Sequence, residues 1–246
     1  MPDLTLIMPF YLNASMLRLQ YEGWAAWAEK RKARLKVIIV DDGSPEPALD
    51  VPRPEGLPEL EIYRVTEDRP WHQHAARNLG AHVASEGWLL LTDMDHVLSD
   101  QAARALFKRM DARSLRRDAI YMLDRIEADT GKPTLAADGS PKPHPNSFVV
   151  TRETYWKIGG YDEDFCGVYG TDNLFKARAF RAARRERLPV PLTRYWRELV
   201  PDASTTTLPR KEGRPSNAKK MVERAKAERG EANVVKVLQF PWERML

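Results

Sequence analysis

The sequence predicts an open α/β fold with a largely parallel sheet and helices on its faces. Three observations carry that prediction. Short apolar runs of strand length, at 4–10, 35–40, 60–65 and 88–92, alternate with stretches of helical spacing. Several of these runs end in polar residues, as the carboxyl ends of strands do where an α/β sheet binds its ligand. The chain has 246 residues, 43% hydrophobic and 30% charged, enough to bury a real core.

In order along the chain, residues 4–10 (LTLIMPF) are apolar and precede a loop, which reads as a strand. Residues 14–34 are good helix formers, with Leu17, Tyr21, Trp24 and Trp27 on one stripe. The second strand, 35–40, runs into Asp41-Asp42-Gly43-Ser44-Pro45, a strong turn signal, and a proline-rich loop follows over 46–58. A third strand at 60–65, a helix at 74–85 and a fourth strand at 88–92 come next. Residues 101–113 form a helix capped by Ser99 or Asp100. Strands at 119–125 and 147–151 flank a Gly/Pro/Asp-rich hairpin or loop at about 127–145. Helices at 172–187 and 217–229 and a late strand at 234–240 complete the expectation.

Composition narrows the class. The longest apolar runs are far too short to span a bilayer. The first residues carry no basic segment or small-residue cleavage pattern, and Cys166 is the single cysteine, so a cytoplasmic protein without a disulfide framework is expected. The charge is lopsided. Residues 176–246 hold 18 Lys+Arg against 8 Asp+Glu, a net of +10, while the rest is net −6. A basic C-terminal part on an acidic body suits a polyanion such as DNA or a membrane surface, and equally a solvated helical face.

The residues able to carry chemistry sit at the expected strand ends: Asn13, Asp41, Asp42, Asp93, Asp95 and His96. With 17 aspartates, roughly one Asp-x-Asp arises by chance, and a second one does occur at Asp162-Glu163-Asp164. Position distinguishes Asp93-Met94-Asp95, which follows the apolar run Trp88-Leu89-Leu90-Leu91. Two alternate carboxylates at a strand end suit a hard divalent cation shared with substrate phosphates, and a nitrogen from His96 would favour Mn²⁺ over Mg²⁺. Asp41-Asp42-Gly43-Ser44 is a good turn, or a carboxylate placed to accept hydrogen bonds from a ribose or a base. Arg77, opening a helix, suits a diphosphate by its bidentate guanidinium, or a salt bridge on the helix. Asp172 is a helix N-terminal residue, favoured there by the helix dipole, or a functional acid.

Four elements in series resemble the GT-A glycosyltransferases of family 2: Met8-Pro9-Phe10-Tyr11-Leu12-Asn13 with Val40-Asp41-Asp42-Gly43-Ser44; Ala76-Arg77-Asn78-Leu79-Gly80; Leu91-Thr92-Asp93-Met94-Asp95; and Gly159-Gly160-Tyr161-Asp162-Glu163 with Gly170-Thr171-Asp172. The resemblance covers about residues 4–180. It implies a GT-A domain over 1–187, with a nucleotide-sugar half (about 1–98) and an acceptor half (about 99–187), and a basic helical extension over 188–246 packed on the same domain. It implies a metal-dependent, inverting glycosyltransferase of the hexosyltransferase type, with a nucleotide-diphospho-sugar donor, UDP-linked first. Pro9, Asp41, Asp42, Arg77 and Asp93 would bind that donor. Asp95 would hold Mn²⁺ or Mg²⁺, with Asp93 and His96 as further ligands. Asp172 would be the general base, with Asp162 and Glu163 as fallbacks. The acceptor would be a glycan, a lipid-linked glycan or a hydroxymethylated DNA base. Two departures stand out. Thr171-Asp172 replaces the family's common Glu-Asp pair, and no histidine follows His144, so the usual metal-binding histidine must be replaced by His96, by His144 or by water. Beyond about Arg187 the chain offers Lys211, Arg214, Lys219, Lys220, Arg224, Lys226 and Arg229 to a polyanion, and Tyr195, Trp196, Phe240 and Trp242 to stack on a ring. A sugar-phosphate nucleotidyltransferase is the alternative enzyme class, but 10–17 lack the Gly-rich basic loop it requires. A non-catalytic nucleic-acid-binding module is the alternative outside enzymes.

Overall fold

The computed structural model describes residues 2–69, 71–168, 170–205, 223–224, 227 and 235–246. Among them, nine strands form one sheet in the order β5-β8-β6-β7-β4-β1-β2-β3-β9. The strands are β1 (Leu4–Phe10), β2 (Leu35–Asp41), β3 (Glu59–Val65), β4 (Trp88–Leu91), β5 (His96–Val97), β6 (Ala119–Glu127), β7 (Phe148–Thr151), β8 (Arg184–Arg194) and β9 (Trp242–Arg244). Strands β1 to β4, β6 and β8 share one direction, while β5, β7 and β9 run antiparallel to their neighbours. The open, mostly parallel α/β architecture is therefore the one expected.

Helices cover both faces. On one lie α1 (Ala14–Ala25), a one-turn α2 (Glu29–Lys32) and α4 (Asp100–Asp111); on the other lie α3 (Gln73–Val83), α5 (Arg152–Ile158) and α6 (Asp172–Ala182). Two apolar clusters result, one holding Leu6, Met8, Tyr21, Trp24 and Phe107, the other Ile7, Val40, Leu79, Tyr155 and Phe175. A sheet buried on both faces needs near-continuous apolar strands, and β2 is buried at every position. Gly80 lets α3 lie close on β1, since a Cβ there would collide with Ile7 Cγ2.

Several local expectations are corrected. The helix expected over 14–34 breaks after α1, because Ala28 is extended and the turn carries Trp27 into the core. The helix expected to reach 187 stops at Ala182, and the chain becomes β8. There Leu188, Val190 and Leu192 are buried at alternate positions, while Pro189 and Pro191 lack the N–H a helix requires. The expected boundary at 187 consequently falls inside a strand, and the final residues add β9 to the sheet edge, so 188–246 is not simply a helical extension. No strand forms over 235–241; the late strand is β9. The expected helix at 217–229 lies outside the described residues except for Glu223, Arg224 and Ala227, which are helical. Helix α5 was unanticipated; Thr151 Oγ1 caps it by accepting from Thr154 N (3.2 Å), and Gly159 ends it at φ +96°.

Candidate active site

The carboxyl ends of β1, β2, β4, β6 and β8 and the amino end of antiparallel β7 meet on one edge of the sheet. The first two loops are built together. Register pairs Phe10 with Asp41, which sets residues 11–13 beside 42–44. Asp41 holds the second loop in shape: its Oδ1 accepts from Gly43 N (3.1 Å) and Ser44 N (2.7 Å), and its Oδ2 from Ala48 N (2.9 Å). Gly43 is obligatory, at φ +89° with the backbone of 67–68 where a Cβ would stand. Leu12 N donates to Ser44 Oγ (3.2 Å), which helps explain how a leucine is held at φ +56°. Asn13 is bound to Tyr11 N and, at 2.5 Å, to Asp202 O, so it is part of the frame.

Asp42 differs from Asp41. It is 5% exposed, and its Oδ1 has no hydrogen-bond partner. Burial, reinforced by the charges of Asp41 and Asp68, holds its carboxyl well above the ordinary carboxylate range. A buried acceptor without a donor is costly unless a ligand supplies one. Asp41, with both oxygens taken by the loop, is corrected from ligand contact to scaffold. Pro9, partly exposed near the end of β1, lines the same edge.

Beside it, Thr92 N donates to Ile7 O (3.1 Å), continuing the β1–β4 pairing so that Asp93 emerges level with Pro9. Arg77 lies beneath, 1% exposed, pairing with Asp93 Oδ1 and donating to Asn146 O (3.0 Å). Its guanidinium also sits 5.6 Å from the Tyr161 ring. Arg77 is thus corrected from a diphosphate contact to the buried support of Asp93. Burial raises the Asp93 carboxyl, with Arg77 opposing that rise. Asp95 Oδ1 is bound to His96 Nδ1 at 2.6 Å. The His96 ring faces inward, 2% exposed, and stacks on His144 at 3.7 Å. His144 Nδ1 meets Ser147 Oγ (2.7 Å), its Nε2 approaches Asp93 Oδ2 (3.5 Å), and burial keeps the ring neutral by lowering its pKa. Each histidine stands behind one carboxylate of the Asp-Met-Asp pair, His96 through Nδ1 with its Nε2 left without a hydrogen-bond partner, and His144 through Nε2.

Asp172 begins α6 and is 9% exposed. Its Oδ2 lies 3.3 Å from Lys176 Nζ, one turn on, and with the Asn146 amide turned to face its acceptors, the Asn146 nitrogen donates to that oxygen at 2.6 Å. Asn146 therefore brackets the site, its carbonyl on Arg77 under Asp93 and its side chain on Asp172. The fallback acids stand elsewhere. Asp162 is paired with Arg224 (2.7 Å) and 3% exposed. Glu163, 2% exposed, accepts from Asn78 Nδ2, Leu238 N and Gln239 N. Both are corrected to structural anchors.

Among the described residues no group of three or more His, Cys, Asp or Glu is arranged to hold a metal. The side chains of Asp93 and Asp95 are 29% and 21% exposed, hard oxygen donors at the sheet edge with Asp95 Oδ1 oriented by His96. That set fits Mg²⁺ or Mn²⁺ completed by phosphate oxygens and water, and not a cation caged by protein alone. Asn146 and Ser147 were missed by sequence reasoning. The signal was a polar cluster, His144 to Ser147, placed before a strand, which matters because β7 is antiparallel and starts at the ligand edge.

The structure is thus a three-layer α/β domain with buried carboxylates gathered at one strand edge, the place where such sheets bind ligands. The model described as glycosyl transferase family 2 matches residues 5–182, and the chain belongs to that family. Its fold is that of GT-A glycosyltransferases. It resembles S. aureus TarS 1–349 in complex with UDP-GlcNAc, with a TM-score of 0.56 and 16% identity, covering 82% of this chain and 62% of that one. It also resembles the mannosyltransferase PcManGT of Pyrobaculum calidifontis in complex with GDP-Man and Mn²⁺ (TM-score 0.53, 16% identity, 94% of this chain and 66% of that one). A third similar structure is GalNAc-T7 with UDP, GalNAc and Mn²⁺ (TM-score 0.55, 15% identity, 79% and 44%). At these identities the likeness is one of fold, and the chain spans less than two thirds of each of these proteins. No curated protein matches the sequence. Among the described residues no helix is long and apolar enough to cross a membrane.

Proposed function

We propose that this chain moves a sugar from a nucleoside-diphosphate sugar, UDP-linked first, to an acceptor hydroxyl with inversion at the anomeric carbon. One observation carries the reading: Asn146 and Arg77 bracket Asp172 against Asp93, so an acid stands beside the strand-end pair at the edge where Asp42 waits for a donor. Asp42 accepts the base N–H. Asp93 and Asp95 would hold a divalent cation, whose chemistry there would be to neutralise charge gathering on the departing diphosphate. Asp172 takes the acceptor proton as the acceptor oxygen attacks in line. Complexes of similar folds with UDP-GlcNAc and with GDP-Man and Mn²⁺ support the donor class and the cation.

The acceptor falls within glycans, lipid-linked glycans and modified DNA bases. Of the basic residues expected to meet a polyanion, Arg224 pairs with Asp162 and Asp164, and the others named over 211–229 lie outside the described residues. The test is nucleoside-diphosphate release from a panel of nucleotide sugars with Mn²⁺, the product anomer being read by NMR. Asp172→Asn should lower transfer about 100-fold or more while nucleotide affinity holds. Unchanged turnover would move the base elsewhere, and a retained anomer would overturn direct displacement.

A further inference from the structure

Trp196 follows β8 and is 45% exposed, yet it is held from three directions. Its Nε1 donates to Glu127 Oε2 (2.9 Å). The Arg194 guanidinium covers one face of the indole, 3.6 Å from a ring centroid, and is itself fixed by two bonds to Glu127 (2.9 and 2.7 Å). Trp196 O accepts from Leu199 N and Val200 N, both at 3.0 Å, which closes the turn behind it. Glu127 also accepts from Thr134 Oγ1, and the next residue on that hairpin, Leu135, is 51% exposed. A lone surface aromatic needs no explanation. An indole held this way while 45% exposed among the described residues has lost its rotamer freedom before any ligand arrives, which is how a binding surface is pre-organised.

Its place in the sheet says what that ligand is. Glu127 ends β6 and Arg194 ends β8, so the platform stands on the same edge as Asp42, Asp93 and Asp95. Tyr195 N donates to Asp95 O at 2.9 Å, which puts the indole one residue from the backbone of the proposed diphosphate site. In the strand order, β6 and β8 lie on the far side of β4 from β2, which carries Asp42. A donor with its base at Asp42 and its diphosphate at Asp95 directs its sugar towards that far side.

We propose that Trp196 is the floor of an acceptor subsite, stacking the apolar C–H face of a pyranose ring. This rests on the glycosyltransferase reading above and names its acceptor class. A neutral sugar suits the surroundings better than a nucleic acid strand. The cation lying against the indole, Arg194, is already neutralised by Glu127 through two bonds, so it is not left over for a phosphate backbone. With Arg194 covering one face of the indole, a sugar ring stacks upon the other and does not intercalate.

The test uses the full chain labelled with ¹⁵N, the Trp196 indole resonance being assigned with Trp196→Phe. Methyl glycosides of glucose, galactose, mannose and N-acetylglucosamine are titrated, then a single-stranded oligodeoxynucleotide. UDP with Mn²⁺ is followed separately at the backbone amides of 42–44. At least one glycoside should shift the Trp196 indole saturably. Trp196→Ala should weaken that glycoside at least tenfold, and Trp196→Phe should stay within about threefold of the parent. Glycosides that leave the indole unmoved, or an oligonucleotide that alone shifts it, would overturn the proposal. UDP that leaves 42–44 unmoved sinks the transferase reading instead, whatever the sugars do.

Discussion

Replacing Glu163 with alanine separates two roles its sequence position suggested. As a fallback general base, its loss would stop turnover in a folded enzyme. As the structure places it, its loss loosens the C-terminal strap. The carboxylate accepts from Asn78 Nδ2 (2.8 Å), Leu238 N (2.8 Å) and Gln239 N (2.7 Å). Asn78 Nδ2 keeps a second acceptor in Tyr161 O (2.7 Å), so two backbone N–H groups are left alone. A fully buried unpaired donor costs about 1–3 kcal/mol, and because Leu238 is half-buried and Gln239 exposed each of these amides falls at the low end of that range. Part of that is recovered, because the carboxylate is itself disfavoured by burial, which raises its pKa. The net expectation is a loss of about 1–2 kcal/mol. Should the strap lift and hydrate its amides, the lost packing of Phe240 on His72 and of Trp242 on Tyr63 gives a loss of similar size. Urea unfolding measures the change as a shift in midpoint at constant slope. Amide exchange at 238 and 239 should accelerate together, with nucleoside-diphosphate release per folded molecule within about threefold of the parent. A loss under about 0.5 kcal/mol, or a folded variant inactive by about 100-fold, would refute the structural assignment.

Three further outcomes are expected. Asp95→Ala should lower Mn²⁺-stimulated nucleoside-diphosphate release by about 10²–10³-fold, the usual size for losing one group that steadies developing charge, and an intact Mn²⁺ response would place the cation elsewhere. His96→Ala removes the partner of Asp95 Oδ1 and the stacking surface of His144, so Mn²⁺ affinity in the presence of UDP, read by electron paramagnetic resonance, should weaken about 10–100-fold; equal affinity would make the stacked pair a packing feature only. Uridine has no phosphate to titrate, and its binding should weaken as pH falls through the raised pKa of Asp42, well above the ordinary value of about 3.9, because the protonated carboxyl presents an O–H where the base N–H must donate. Calorimetry that finds uridine affinity flat down to about pH 4 would remove Asp42 from the base contact.

What the sequence revealed, and what it withheld, divides along one physical line. Strand-end residues of a parallel sheet are legible because apolar runs mark the strands and the first polar residue marks the ligand edge; Asp42, Asp93 and Asp95 were found that way. That rule assumes a common strand direction, and β7 violates it. Because β7 runs antiparallel between β4 and β6, the residues before it reach the ligand edge, which brings His144, Asn146 and Ser147 to the aspartates. Four residues of β-branched and aromatic character carry no mark of direction, so periodicity alone cannot supply that fact. The same limit explains the acids. Asp41 and Asp42 are identical neighbours in the sequence, but a strand points successive side chains to opposite sides, and only one of the pair is free of the turn it builds. Glu163 and Asp162 differ from Asp172 for a related reason: their partners come from Arg224 and residues 236–239, some sixty to eighty positions away, and no local pattern announces them. A carboxylate's chemistry is therefore set by which distant donors reach it, and a substitution series over Asp41, Asp42, Asp162, Glu163 and Asp172 should split accordingly, with stability falling at Asp41, Asp162 and Glu163 and with nucleotide binding or turnover falling at Asp42 and Asp172.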